Sequence, residues 1–148
     1  MGLHRLAAGV ISLSLASISF AQTTSPSGLW QTISDETGKA SSHVRIAESN
    51  GLLTGTVEKI LDPAKAGARC TECTDERKDQ LIEGIVMIKG VKFNPEATLT
   101  WDGGEILDPK SGKNYRARIR LIDDGKTLEV RGYKGPFVRT QLWHRLSE

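Results

Sequence analysis

The sequence predicts an all-β fold, a small antiparallel up-and-down barrel of about eight strands. Three observations lead there. Short β-prone runs are separated by turn residues about every 8 to 12 residues, the last strands alternate apolar and polar side chains, and almost no stretch carries helical periodicity. A two-sheet sandwich fits the same pattern, but closure removes exposed strand edges and is favoured.

Residues 1–21 read as a targeting segment outside the fold. His4 and Arg5 precede an apolar and small-residue run from Leu6 to Phe20, and Ser19-Phe20-Ala21 has the small residues a signal peptidase needs. The run is about 15 residues, short of the roughly 18 to 20 that cross a bilayer. Cleavage before Gln22 is expected, leaving residues 22–148 as one soluble domain, periplasmic or otherwise secreted. No later stretch is apolar enough for a membrane span, because Lys89 interrupts Ile85–Ile88. Loss of Arg5 takes the formal charge from +2 to +1, which offers no basic footprint for nucleic acid.

In chain order, Gln22 to Ser27 is a polar lead-in to a first strand over Leu29–Ser34. A turn at Asp35–Lys39 leads to Ser42–Glu48. Asn50-Gly51 then predicts a tight hairpin with Leu52–Leu61, since this pair tolerates the left-handed backbone such turns require. Asp62–Glu83 has the lowest β-propensity after the leader and reads as a long loop with one helical turn. Ile85–Phe93 opens with four consecutive apolar residues, the pattern of a strand buried on both faces. Trp101–Tyr115 reads as a hairpin-like unit with two tight turns, at Gly103-Gly104 and at Asp108–Gly112. Three strands follow, over Tyr115–Ile122, Thr127–Tyr133 and Phe137–Leu146. In the first, Tyr115, Ala117, Ile119 and Leu121 oppose Arg116, Arg118 and Arg120, so one face is core and the other meets water.

Little here is recognisable as catalytic chemistry. Cys70 and Cys73 would be exported, where a disulfide that clips the loop is favoured. A thioredoxin-type redox pair is an alternative, but no strand-then-helix context surrounds it. A zinc site is another, yet only His43 and His144 remain to complete it. Asp102, Glu105 and Asp108 lack the spacing of a calcium loop, and no nucleophile elbow or phosphate-binding glycine loop occurs. No metal, cofactor or catalytic residue is indicated, and an enzyme is not expected.

The last strand is the most informative. Phe137, Arg139, Gln141, Trp143 and Arg145 share one face; Val138, Thr140, Leu142, His144 and Leu146 share the other. If the first face points inward, the lumen gains an aromatic wall and two guanidinium groups, suited to an amphiphile with a carboxylate or phosphate head. If it points outward, the arginine stems pack over tryptophan at the surface.

Several motifs occur together: Gly28-Leu29-Trp30, Cys70-x-x-Cys73, Trp101-x-Gly-Gly-x-Ile-x-Asp-Pro-x-x-Gly-Lys-x-Tyr115, Val130-Arg-Gly-Tyr-x-Gly135 and Arg139-x-Gln-x-Trp143-x-Arg145. In these the chain resembles the exported bacterial family known as domain of unknown function 2147. The resemblance implies a lipocalin-like barrel in the periplasm, with a cavity for a hydrophobic or amphiphilic small molecule and no established reaction. It also implies a structural closure in which Trp30 packs against a basic residue of the final strand, Arg145 or Arg139. The leading expectation is a binding barrel for a lipid-like molecule, with Trp101, Tyr115, Arg139, Gln141 and Trp143 as candidate contacts. A structural or protein-interaction module of the cell envelope, partner unknown, is the alternative, and redox or metal activity at Cys70 and Cys73 comes third.

Overall fold

A computed structural model describes residues 24–148, together with residue 2. The expected leader, apart from residue 2, lies outside the described residues. Eight strands close into one antiparallel barrel in sequence order: β1 (Gly28–Ile33), β2 (Ala40–Ser49), β3 (Leu52–Ile60), β4 (Val86–Asn94), β5 (Thr100–Asp108), β6 (Lys113–Ile122), β7 (Thr127–Lys134) and β8 (Phe137–Ser147). Each strand pairs with the next, and β8 returns to β1 through Trp30 opposite Arg145 and Gln31 opposite His144. Among the described residues no helix is long and apolar enough to cross a membrane.

The strands follow from the two-residue alternation. In β6, Ala117, Ile119 and Leu121 are buried while Arg116 and Arg120 are exposed, and in β2 and β3 the inward residues are Val44, Ile46, Leu53 and Val57. Asn50 and Gly51 have φ of 51° and 75°, the pair of left-handed residues a two-residue hairpin needs. β4 departs from the expectation of a strand buried on both faces. Ile85 and Ile88 are buried, but Val86 is 38% exposed, so β4 has a watered face like its neighbours.

Gly103-Gly104 is a bulge within β5, which runs through both glycines; it is not the turn expected from the sequence. Gly103 has φ of 83°, and the register with β6 slips between Asp102 and Gly104. Close approach explains the second glycine. A Cβ on Gly104 would lie 2.3 Å from the carbonyl oxygen of Lys89 in β4, so only a residue without a side chain fits. The single turn of this unit is Asp108–Gly112, where the Gly112 N–H donates to the carbonyl of Asp108 at 2.8 Å.

The two ends of the barrel differ. At one end the Trp30 indole, fully buried, donates from Nε1 to the carbonyl of Pro26 at 2.8 Å. The guanidinium of Arg145 lies 4.2 Å from its ring centroid and donates to three carbonyls: Gly125 at 2.6 Å, Ser27 at 2.7 Å and Ser25 at 2.7 Å. These bonds draw the entering chain and the β6–β7 turn across the barrel and seal it. At the opposite end lie the β1–β2, β5–β6 and β7–β8 turns and residues 61–85.

That last segment is ordered. It contains one 3-10 turn, Pro63–Lys65, capped by Asp62 Oδ1 accepting from the Ala64 N–H at 3.0 Å. Cys70 and Cys73 form a disulfide and are both buried. The pair sits against the β5–β6 turn, with the backbone of Glu72 and Cys73 so close that a Cβ on Gly112 would meet the Glu72 carbonyl oxygen at 1.9 Å. Gly112 has φ of 68° as well, so both space and backbone angle demand glycine.

A direct comparison checks this packing. Gly135, at φ of 57° with open space around it, isolates the backbone term, so Gly135→Ala should cost about 1 kcal/mol in urea unfolding. Gly112→Ala meets fixed backbone in addition and should cost at least about 2 kcal/mol more.

Candidate ligand-binding site

A cavity of about 490 Å³ enters the barrel from its open end. The fold sets its depth: the far end is sealed by Trp30 and Arg145, and the barrel between is filled by inward side chains. The inner wall is apolar, with Val57, Ile60, Met87, Ile106, Val130 and Trp143 among the lining residues. The mouth is charged. Asp35 and Glu36 come from the β1–β2 turn, Lys65 and Arg69 from residues 61–85, Asp108 and Lys110 from the β5–β6 turn, and Arg139 from β8.

The register resolves which way β8 faces. Trp143 lies opposite Leu128 and Gln141 opposite Val130, both buried, so the face holding Arg139, Gln141 and Trp143 points inward. Val138, Leu142 and Leu146 face outward and are 54%, 47% and 46% exposed. Hydrogen bonds run up this inner face. Trp143 Nε1 donates to Gln141 Oε1 at 3.0 Å, Gln141 Nε2 donates to Asp35 Oδ2 at 3.2 Å, and Arg139 Nε donates to the same oxygen at 2.6 Å. Arg139 also approaches Asp108, Nη1 to Oδ2 at 3.8 Å. The mouth is therefore tied across residues far apart in sequence.

Four of the five expected contacts, Tyr115, Arg139, Gln141 and Trp143, line the cavity. Trp101 does not. β5 runs from the sealed end to the mouth and Trp101 is near its start, so its ring is buried against Phe93, with centroids 5.5 Å apart. The expectation of two guanidinium groups in the lumen also needs correction. Arg145 is committed to Trp30 and three carbonyls at the sealed end, and Arg139 is ion-paired to Asp35 at the mouth, 2.5 Å from Nη2 to Oδ2. Of the two arginines offered for the closure, Arg145 fills that place.

Several residues of the site were not anticipated. Asp35 and Asp108 looked like ordinary turn residues, and nothing local shows that Asp35 lies beside β8. Arg77 sits in a charged run, Asp75-Glu76-Arg77-Lys78-Asp79, that resembles a solvated loop, yet it is only 3% exposed. Its guanidinium donates to Asp75 Oδ2 at 2.5 Å, to Asn114 Oδ1 at 2.8 Å and to the Val86 carbonyl at 2.9 Å, with Glu105 at 3.7 Å. This cluster staples residues 61–85 to β4 and β6. Arg77 holds the Asp75 carboxyl well below the usual carboxylate range, and Asp75 raises Arg77 in turn. At the mouth, Lys110 pairs with Glu36 and lowers its carboxyl in the same sense.

The staple has a defined acid response. A carboxyl whose pKa is depressed by folding stabilises the fold above its unfolded value, about 3.9 for aspartate, and loses that contribution as pH falls toward the lower folded value. Thermal melting of the native protein should thus show no contribution from Asp75 titration between pH 7 and about pH 5, then a fall below about pH 4. Asp75→Asn should remove this component and destabilise the protein at pH 7 by roughly 3 kcal/mol, because Arg77 is left buried with weaker compensation. An Asn variant melting with the native acid profile would contradict the assignment.

Residues 28–145 match the family described as an uncharacterized protein conserved in bacteria (DUF2147). Among solved structures, protein HP1028 of Helicobacter pylori, described as belonging to the lipocalin family, superposes with a TM-score of 0.71 at 23% identity, covering 85% of this chain and 86% of that one. No curated relative matches the chain.

Proposed function

For a chain that belongs to this bacterial DUF2147 family and folds as a lipocalin-like barrel, we propose a binding function: an exported, periplasmic carrier of a small hydrophobic or amphiphilic molecule. One observation carries the reading, the cavity of about 490 Å³ that is apolar within, polar at its mouth and stopped by a sealed end. That volume lies in the range of roughly 300 to 1,000 Å³ common to small-molecule sites. The apolar part of the ligand enters between Met87, Ile106, Val130 and Trp143, where burial removes it from water. Its polar end stays among the charged side chains of the mouth. The leader-like residues 1–21 support the location.

A second reading, a protein-interaction module of the envelope, is favoured by the outward apolar stripe of Val138, Leu142 and Leu146 on β8. The two readings separate cleanly. Native mass spectrometry of protein purified without denaturation should show small molecules bound about one per chain, and a neutral aromatic probe such as 1-aminoanthracene should be displaced by them. A clean apo mass together with no probe uptake would sink the carrier reading, and crosslinking through β8 in intact cells would then favour the second.

A further inference from the structure

Lys65 and Arg69 are the cavity-lining cations with no carboxylate within 4.0 Å among the described residues. The other charges at the mouth are matched. Asp35 accepts from Arg139 and Gln141, Glu36 pairs with Lys110, and Asp108 accepts from the Lys110 N–H at 3.1 Å and the Ser111 hydroxyl at 2.9 Å while facing Arg139. Four cations thus face three carboxylates, and the excess sits on one side of the opening. Arg69 commits Nη1 to the carbonyl of Asp79 at 2.9 Å, which fixes the side chain while leaving the rest of its fork open. Lys65 ends the 3-10 turn that Asp62 caps, so both cations stand on a segment held by the disulfide and the Arg77 staple. Such positioning lowers the ordering cost of binding.

Resting on the carrier reading above, we propose that the ligand of this cavity is an anion: an amphiphile whose carboxylate or phosphate head lies between Lys65 and Arg69, with the Thr71 hydroxyl on the same rim. The charge of the head is what the mouth lacks, and charge-assisted hydrogen bonds to a guanidinium and an ammonium give it direction as well as attraction. The apolar wall below accepts the remainder of the molecule without further polar demand. A neutral head would leave the excess of cations at the mouth unmatched, and a cationic one would add to it.

Isothermal titration of the purified protein with probes of one chain length tests this: dodecanoate, dodecyl phosphate, dodecanol and dodecyltrimethylammonium, each below its micelle concentration. The two anions are expected to bind roughly tenfold tighter than the alcohol at low ionic strength, with the gap narrowing as salt rises. Whichever anion binds tighter indicates whether the source is a fatty acid or a phosphate ester. In the double variant Lys65→Met, Arg69→Met, both exposed positions, the anion preference should fall to within about twofold, while melting temperature reports that the barrel is intact. Equal binding of dodecanol and dodecanoate, or a preference that survives the double variant, would overturn the proposal and leave the carrier reading standing. Failure of every probe, the alcohol included, would remove both.

Discussion

The stacking of Arg145 on Trp30 closes the barrel, and everything else about the site depends on it. A barrel with eight strands has an interior that side chains can fill or that can hold one small ligand, and a plug at one end leaves such a cavity open only at the other. Arg145 supplies the plug by a combination few residues can manage. Its flat guanidinium covers the indole, and its donors gather three carbonyls from two separate chain segments. Lysine could sit over the ring but could not span those carbonyls. The tryptophan in turn gives the guanidinium an apolar floor, so burial of a charge is offset by hydrogen bonds at every edge.

At the other end the same problem, a charge under cover, is solved in a different way. Arg77 is enclosed by Asp75, Asn114 and the Val86 carbonyl, and it fastens a segment with little secondary structure to the side of the barrel. The disulfide joins residues only three apart, so it stiffens the segment locally while Arg77 and the contact with Gly112 determine where the segment lies. Together they turn residues 61–85 from a loop into part of the wall. The mouth is therefore a built surface that carries Lys65 and Arg69.

Much of the barrel was legible in the sequence because its signals are local. Asn50-Gly51, the alternation in β6 and β7 and the run of turn residues each act over a few positions, and the structure follows them. Gly103-Gly104 shows the limit: two glycines permit a turn and equally permit close strand approach, and only the neighbouring Lys89 carbonyl decides between them. The faces of β8 were ambiguous for a related reason. Both faces mix polar and apolar residues, and the direction is set by Leu128 and Val130 on the neighbouring strand. The site was less legible still. Asp35 and Arg139 meet across 104 positions, and Arg77 is buried although its neighbours in sequence are charged. Trp101 was drawn into the candidate set by its motif, but its position at the start of β5 places it at the sealed end.

The separation of the two ends has an evolutionary consequence. Trp30, the Arg77 cluster and the inward strand residues are packed, whereas Lys65, Arg69, Glu36 and Lys110 are exposed on connections between strands. Substitutions on the rim can thus change the shape and charge of the opening with little effect on whether the chain folds, because exposed positions away from packed groups shift stability by only about 0.5 kcal/mol. Descendants of one barrel can diverge at the mouth while keeping the same plug. Among relatives, the residues of the sealed end should trace ancestry, and those of the rim should vary from one lineage to the next.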